Sequence, residues 1–172
     1  DLHSNNDPAL GQNGTYSGWL YNSKAVGVIK AAAQRKRSDP NSAPFFLNYW
    51  LHNTHAPIEV PAEYKALYNT SDDTLNTFMG MVSAVDQAVG NVTDALKTNG
   101  LWNNTLLIYT HDNGAPLGDG GSNYPLRGGK NSNFEGGVRV PAIVSGGVLP
   151  LDRRGAATNA LFHVSDWSPT VM

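Results

Sequence analysis

Asp112 and Asn113 stand directly behind an apolar, β-prone run, Leu106-Leu107-Ile108-Tyr109-Thr110-His111, and ahead of a glycine-rich stretch that leads to Lys130. An acid beside an amide offers hard oxygen donors, which suit Ca2+ or Mg2+ rather than a softer metal. In an open α/β sheet, ligands lie outside the carboxyl ends of the strands, so a strand that empties onto such a pair is where a metal or anion site would be built. Asp-Asn-Gly is also a common turn, because Asn and Gly both tolerate positive φ. The tripeptide alone leaves the two readings open. Lys130, taken by itself, reads as a solvated surface cation. His55 lies in His52-Asn53-Thr54-His55-Ala56-Pro57, just past a second apolar run. An imidazole titrates near neutrality and suits proton transfer, although a loop histidine bonded to backbone is the plainer reading.

These residues need elements to hold them. Residues 1–15 are polar and aperiodic and read as loop. From Asn22 to about Arg37, Ala25, Val26, Ile29, Ala32 and Ala33 recur at helical spacing. Asp39-Pro40 then stops that helix. Phe45–Leu51 is short, aromatic and almost wholly apolar, as in a buried parallel strand. A long helix is predicted from about Thr74 to Thr98, with Leu75, Phe78, Met79, Val82, Val85, Val89, Val92 and Leu96 on its inner stripe and Asn99-Gly100 as its stop. A second strand follows over about Thr105–Thr110, giving strand, helix, strand in one right-handed crossover. Eight glycines lie from Gly114 to Gly137, and long ordered loops in compact domains tend to be functional. Val138–Ser145 reads as a third strand, pushed toward an edge by Pro141. Ser165 or Asp166 caps a last helix, with Pro169 in its first turn. A chain that opens in a loop and stops inside an element is expected to be an excerpt of a larger α/β domain.

Composition narrows the function classes. With 172 residues, 40% hydrophobic and 15% charged, the chain has the size and make-up of a globular domain. A formal net charge of −2 leaves no electrostatic footprint for nucleic acid or an anionic membrane. Arg35-Lys36-Arg37 is short and sits where a helix C-terminus favours cations. No apolar run approaches the roughly 18 residues of a bilayer span. Without cysteine, no disulfide forms within the chain. Asn13, Asn69, Asn91 and Asn103 each open an Asn-x-Ser/Thr sequon and are candidate glycosylation sites in a secretory setting.

The motifs also form an ordered series. Pro44–Leu51, His52–Pro57 and Val60-Pro61 are followed by Gly80–Asp86, Gly100–Thr105 and Thr110–Gly114. Pro125-Leu126-Arg127-Gly128-Gly129-Lys130, Phe134-Glu135-Gly136-Gly137-Val138-Arg139-Val140-Pro141 and His163–Thr170 complete it. In this order and spacing the chain, from about residue 16 onward, resembles the middle portion of a type I sulfatase, most like the arylsulfatase B group. The resemblance implies an α/β fold of the alkaline-phosphatase/sulfatase type, a sandwich with a mostly parallel central sheet flanked by helices. All of residues 1–172 would belong to one catalytic domain.

By the same resemblance, Asp112 and Asn113 match the family's downstream metal ligands, for Ca2+ or alternatively Mg2+. His55 matches the histidine that contacts the sulfate and can protonate the leaving oxygen, and Lys130 matches the sulfate-binding lysine. Arg127 is balanced between a second anion contact and packing or an ion pair. His52 and His111 lean structural, as do Glu135, Arg139, His163 and Asp166, and Trp167 reads as core. The family's nucleophile is a formylglycine made in a Cys/Ser-x-Pro-Ser/Ala-x-Arg motif. That motif is not in this chain: there is no cysteine, and Ser42-Ala43-Pro44 continues with Phe45. The implied partners are a sulfate ester, aryl or carbohydrate, and the remainder of the sulfatase domain, in a secreted, extracellular or lysosomal setting. The 172 residues alone are expected to be inactive. The alternatives are a phosphatase or phosphonate hydrolase of the same superfamily, or a non-catalytic sulfatase-like binding or structural protein.

Overall fold

A computed structural model describes residues 2–172 of the chain. Two short strands, β1 (His3–Ser4) and β2 (Asp7–Pro8), make an antiparallel pair in the N-terminal loop. Helix α1 spans Ser17–Ser38, beginning more than a turn before the expected Asn22. Its buried stripe explains the difference. Gly18 and Asn22 continue the line of Ala25, Ile29, Ala32 and Ala33, and neither residue registers in an apolar period. The helix ends as expected, with the Asp39 amide donating to the Arg35 carbonyl at 2.8 Å and three cations in the last turn.

Residues 45–51, expected as a parallel strand, have no hydrogen-bonded neighbour among the described residues. Their side chains still alternate as a strand's do. Phe45, Leu47, Tyr49 and Leu51 are half-buried, whereas Phe46 and Trp50 are more than three-quarters exposed. One face of the segment is packed and the other is bare. Helix α2 (Ala62–Lys65) leads into α3 (Asp73–Thr98), which lies within a residue of its expected bounds. Asp72 caps it by accepting from the Leu75 amide at 3.0 Å, and Gly100 ends it with φ of +74°.

The inner face of α3 differs from expectation. Asn76, Thr77, Gly80, Met81, Ala84, Val85, Ala88, Ala95 and Leu96 are buried, while Val82 is 48% exposed. Small residues face inward because α1 and α2 press close: a Cβ on Gly80 would lie 3.0 Å from backbone atoms of Tyr64 and Lys65. Two polar bonds tie α1 to α3. Asn22 donates to the Ala88 carbonyl at 2.9 Å, and Asn91 donates to Asn22 Oδ1 at 2.8 Å. Ile29, Ala95 and Leu96 form the centre of the core, with Phe45, Leu47, Val92, Trp102 and Leu107 packed around it. Ile29 is 1% exposed, so Ile29→Ala is expected to cost about 2–5 kcal/mol. Thermal melts of the wild-type and variant proteins test this; an unchanged melting temperature would contradict it.

After a 3-10 turn at Trp102–Asn104, β3 (Leu107–Thr110) pairs with β4 (Ala142–Ser145), with Tyr109 opposite Ile143. The pair is antiparallel, and no ladder joins β3 to residues 45–51 among the described residues, so the strand-helix-strand crossover is not formed there. The third strand is also shorter than expected. Residues Glu135–Val138 form a helical turn, α4, closed by an Arg139–Glu135 ion pair at 3.3 Å. Pro141 contributes no N–H, and the ladder begins only after it. Past a 3-10 turn at Leu151–Arg153, a second one at Val164–Asp166 runs into α5 (Trp167–Val171). Asp166 stands at the N-cap position of α5, one of the two residues expected there. His163 caps the 3-10 turn before it, and the Asp166 carboxylate accepts from the His163 amide at 2.7 Å. Trp167 is half-buried, with its ring 4.1 Å from that of Phe162.

Candidate active site

His55 is held by its own loop. Its amide donates to the His52 carbonyl at 3.0 Å, and Nδ1 lies 2.9 Å from the Ala56 carbonyl oxygen. A carbonyl can only accept, so Nδ1 carries the proton and Nε2 presents a lone pair. The loop is anchored from below by Asn53, whose amide donates to the Tyr16 hydroxyl at 2.5 Å and to the Met81 carbonyl of α3 at 3.1 Å. Burial pushes the Tyr16 hydroxyl up from its ordinary pKa, with Tyr64 and Glu59 adding to the shift and the Asn53 bond opposing it. Tyr16 therefore remains neutral at physiological pH.

Lys130 reaches this histidine from the far side of the chain. Its ammonium Nζ lies 3.2 Å from His55 Nε2, between residues 75 apart in sequence. With Nε2 as acceptor, the ammonium donates. The two residues singled out for anion contact and proton transfer thus share one point, at the mouth of the loops that carry them.

Asp112 and Asn113 follow the carboxyl end of β3, as expected. The Asp112 carboxylate is exposed, and its Oδ1 accepts from the Asn113 amide at 2.9 Å. No lysine or arginine pairs with it among the described residues. The glycine-rich loop folds back on this strand end through backbone bonds, from Gly114 to the Gly137 carbonyl at 3.0 Å and from Lys130 to the Ala115 carbonyl at 3.1 Å. Asn123 sits inside the fold-back, accepting from the Ala115 amide at 2.9 Å. A hard oxygen pair of this kind suits a divalent cation. It supplies only part of a shell, and no three His, Cys, Asp or Glu side chains converge on a metal position among the described residues.

The remaining candidates are each engaged by a neighbour of their own. His111 is occupied by Tyr109, whose hydroxyl lies 2.8 Å from Nε2 with the rings edge to face. Burial raises the Tyr109 pKa, and the Asp86 carboxylate raises it further. The Arg127 guanidinium stacks on Phe134 at 4.0 Å, so one of its faces is spent on packing. His52 meets Tyr21 edge to face. Asn53, Tyr16 and Asn123 were not legible as site residues. An asparagine in a Gly/Pro-rich loop reads as a turn former, and the partners of all three lie far along the chain or across a loop.

The model of the family described as Sulfatase matches residues 11–172, and the chain belongs to that family. Arylsulfatase J of Mus musculus is 34% identical over the whole of this chain, which spans 28% of that protein. N-acetylgalactosamine-6-sulfatase, also of Mus musculus, is 33% identical over 72% of this chain and 22% of its own length. Among solved structures, Ps i-CgsB in complex with k-i-k-neocarrahexaose superposes with a TM-score of 0.75 at 33% identity, covering 83% of this chain and 30% of that one. The chain therefore spans under a third of the length of each of these relatives.

Proposed function

We propose that this chain is part of the catalytic domain of a sulfuric ester hydrolase and carries the half of the active site that binds the sulfate and handles the leaving-group proton. The observation that supports it most directly is the 3.2 Å contact between Lys130 and His55. A fixed cation beside a histidine nitrogen of defined tautomer can bind a sulfuryl oxygen and move a proton at the adjacent ester oxygen. The rest of the domain, with a mostly parallel sheet, would cover the bare face of residues 45–51.

The chain's own residues divide the work. Lys130 donates to the bound anion as a compact positive charge. His55, its Nδ1 proton held by the Ala56 carbonyl, takes up a proton from solvent on the Nε2 lone pair and, as the imidazolium, gives that proton to the leaving oxygen. Asp112 and Asn113 would hold Ca2+, or Mg2+, from one side. That cation would neutralise charge on the sulfuryl oxygens, while a hydrated formylglycine outside this chain would supply the attacking oxygen. Aryl and carbohydrate sulfates both fit such a site, and the neocarrahexaose bound to Ps i-CgsB favours the second.

The test is a complete domain, carrying these residues and its upstream portion, assayed with an aryl sulfate and a sulfated oligosaccharide. Turnover that is lost on chelation and regained with Ca2+, together with a formylglycine peptide in the mass map, is the expected result. An intact nucleophile motif with no turnover of either substrate would remove the proposal.

We also place the protein in a secretory route, to the cell exterior or the lysosome. Asn13, Asn69, Asn91 and Asn103 are all exposed, and no helix among the described residues is long and apolar enough to cross a membrane. Asn91 differs from the others because its amide nitrogen, the atom a glycan would occupy, is bonded to Asn22 across the helix pair. Glycopeptide mapping of protein from a secretory host should find Asn91 the least occupied of the four. Full occupancy at Asn91 would show that the bond forms too late or too weakly to matter.

A further inference from the structure

We propose that Asn123 is a positioning residue of this active site, locking the loop that carries Lys130 onto the segment that follows Asp112 and Asn113. The inference rests on the sulfatase reading for the role of Lys130, and on geometry for the lock itself. Asn123 reads both backbone groups of one residue. Its Oδ1 accepts from the Ala115 amide at 2.9 Å, and its Nδ2 donates to the Ala115 carbonyl at 2.8 Å. The second Nδ2 hydrogen goes to the Gly128 carbonyl at 3.2 Å. The partners fix the orientation of the carboxamide, since the nitrogen meets two carbonyls and the oxygen meets an amide.

Ala115 is also where Lys130 is held, because the Lys130 amide donates to the same carbonyl at 3.1 Å. One peptide unit, two residues past Asn113, is therefore gripped by Asn123 and grips Lys130. Around it the backbone leaves no slack. A Cβ on Gly129 would lie 2.5 Å from the Ala115 oxygen and 2.9 Å from Asn123 Nδ2, and one on Gly114 would lie 3.1 Å from Asn123 Oδ1. A side chain that lacked either the donors or the acceptor would leave half-buried backbone groups unpaired. Alanine removes all three bonds. Aspartate keeps the acceptor but sets an anionic oxygen against two carbonyls.

The test uses the complete domain with Asn123→Ala and Asn123→Asp, each made alone and in a Lys130→Ala background. The readouts are the inhibition constant for inorganic sulfate, kcat/KM, amide exchange across residues 114–131, and the thermal melt. Asn123→Ala should weaken sulfate by about tenfold, the scale of one charge-positioning bond. It should lower kcat/KM by about a hundredfold, the scale of an ångström-sized misplacement. Asn123→Asp should do at least as much. Exchange should quicken at the Ala115 and Lys130 amides. In the Lys130→Ala background the sulfate effect should largely vanish, which a general structural role would not produce.

Equal weakening in both backgrounds, or unchanged sulfate affinity in Asn123→Ala, would overturn the proposal. Exchange separates this from the enzymatic reading. A wild-type domain with no affinity for sulfate would sink the sulfatase assignment, whereas unchanged exchange in Asn123→Ala would sink the lock.

Discussion

Replacing His55 by alanine in the complete domain lowers kcat/KM for an aryl sulfate by about two to four orders of magnitude, the range of a positioned general acid. Lys130→Ala lowers it by about two to three, the range of one donor removed from a developing anion. The double variant falls well short of the product of the two losses. The reason is the 3.2 Å bond between Lys130 Nζ and His55 Nε2, which makes each side chain part of the other's environment. Groups in direct contact are the ones whose effects fail to add. Lys130→Arg does not restore the loss, because a planar guanidinium places its donors differently from a single ammonium point. Steady-state kinetics on the four variants decide the matter. Fully additive losses would mean that the two residues work apart.

The second large effect falls on the backbone. A Cβ on Gly114 would lie 1.7 Å from the Gly136 carbonyl oxygen and 2.8 Å from its carbon, so the obstacle is main chain and cannot swing aside. Gly114→Ala is expected to prise the glycine-rich loop from the end of β3, at a cost above about 4 kcal/mol if the loop is forced to stay. Activity and cation affinity should fall together, with amide exchange quickened over residues 112–137. Gly27→Ala is the control. Gly27 is an exposed residue inside α1 with nothing within 4 Å of an added Cβ, and alanine there should stabilise by about 0.5–1 kcal/mol. Wild-type activity in Gly114→Ala would show that the close approach is not needed.

What could be read ahead of the structure follows the range of the forces involved. The bounds of α3 were legible because its signals are local: an apolar helical period and an Asn-Gly stop. The start of α1 lies ahead of the expected Asn22 because Gly18, in the added turn, buries surface without being apolar. Residues 45–51 have a strand's alternation but no partner among the described residues, and hydrogen-bonded pairing is not a property of one segment. For the candidate site, the family resemblance singled out Asp112, Asn113, His55 and Lys130. The meeting of His55 with Lys130, and the anchoring of their loops by Asn53 and Asn123, depend on separations that no local spacing encodes.

The glycine-rich loop also sets where this site can be altered by mutation. At Gly114, Gly129, Gly136 and Gly137 backbone faces backbone, with a Cβ meeting a main-chain oxygen at 2.5 Å or less. Leu117 and Tyr124, in the same loop, are 78% and 90% exposed. A loop whose frame is held by main-chain contacts can exchange its outward side chains without shifting the lysine it carries. In a saturation library selected for activity, the four glycines should tolerate almost no replacement, while Leu117 and Tyr124 accept most and carry the substrate-dependent differences.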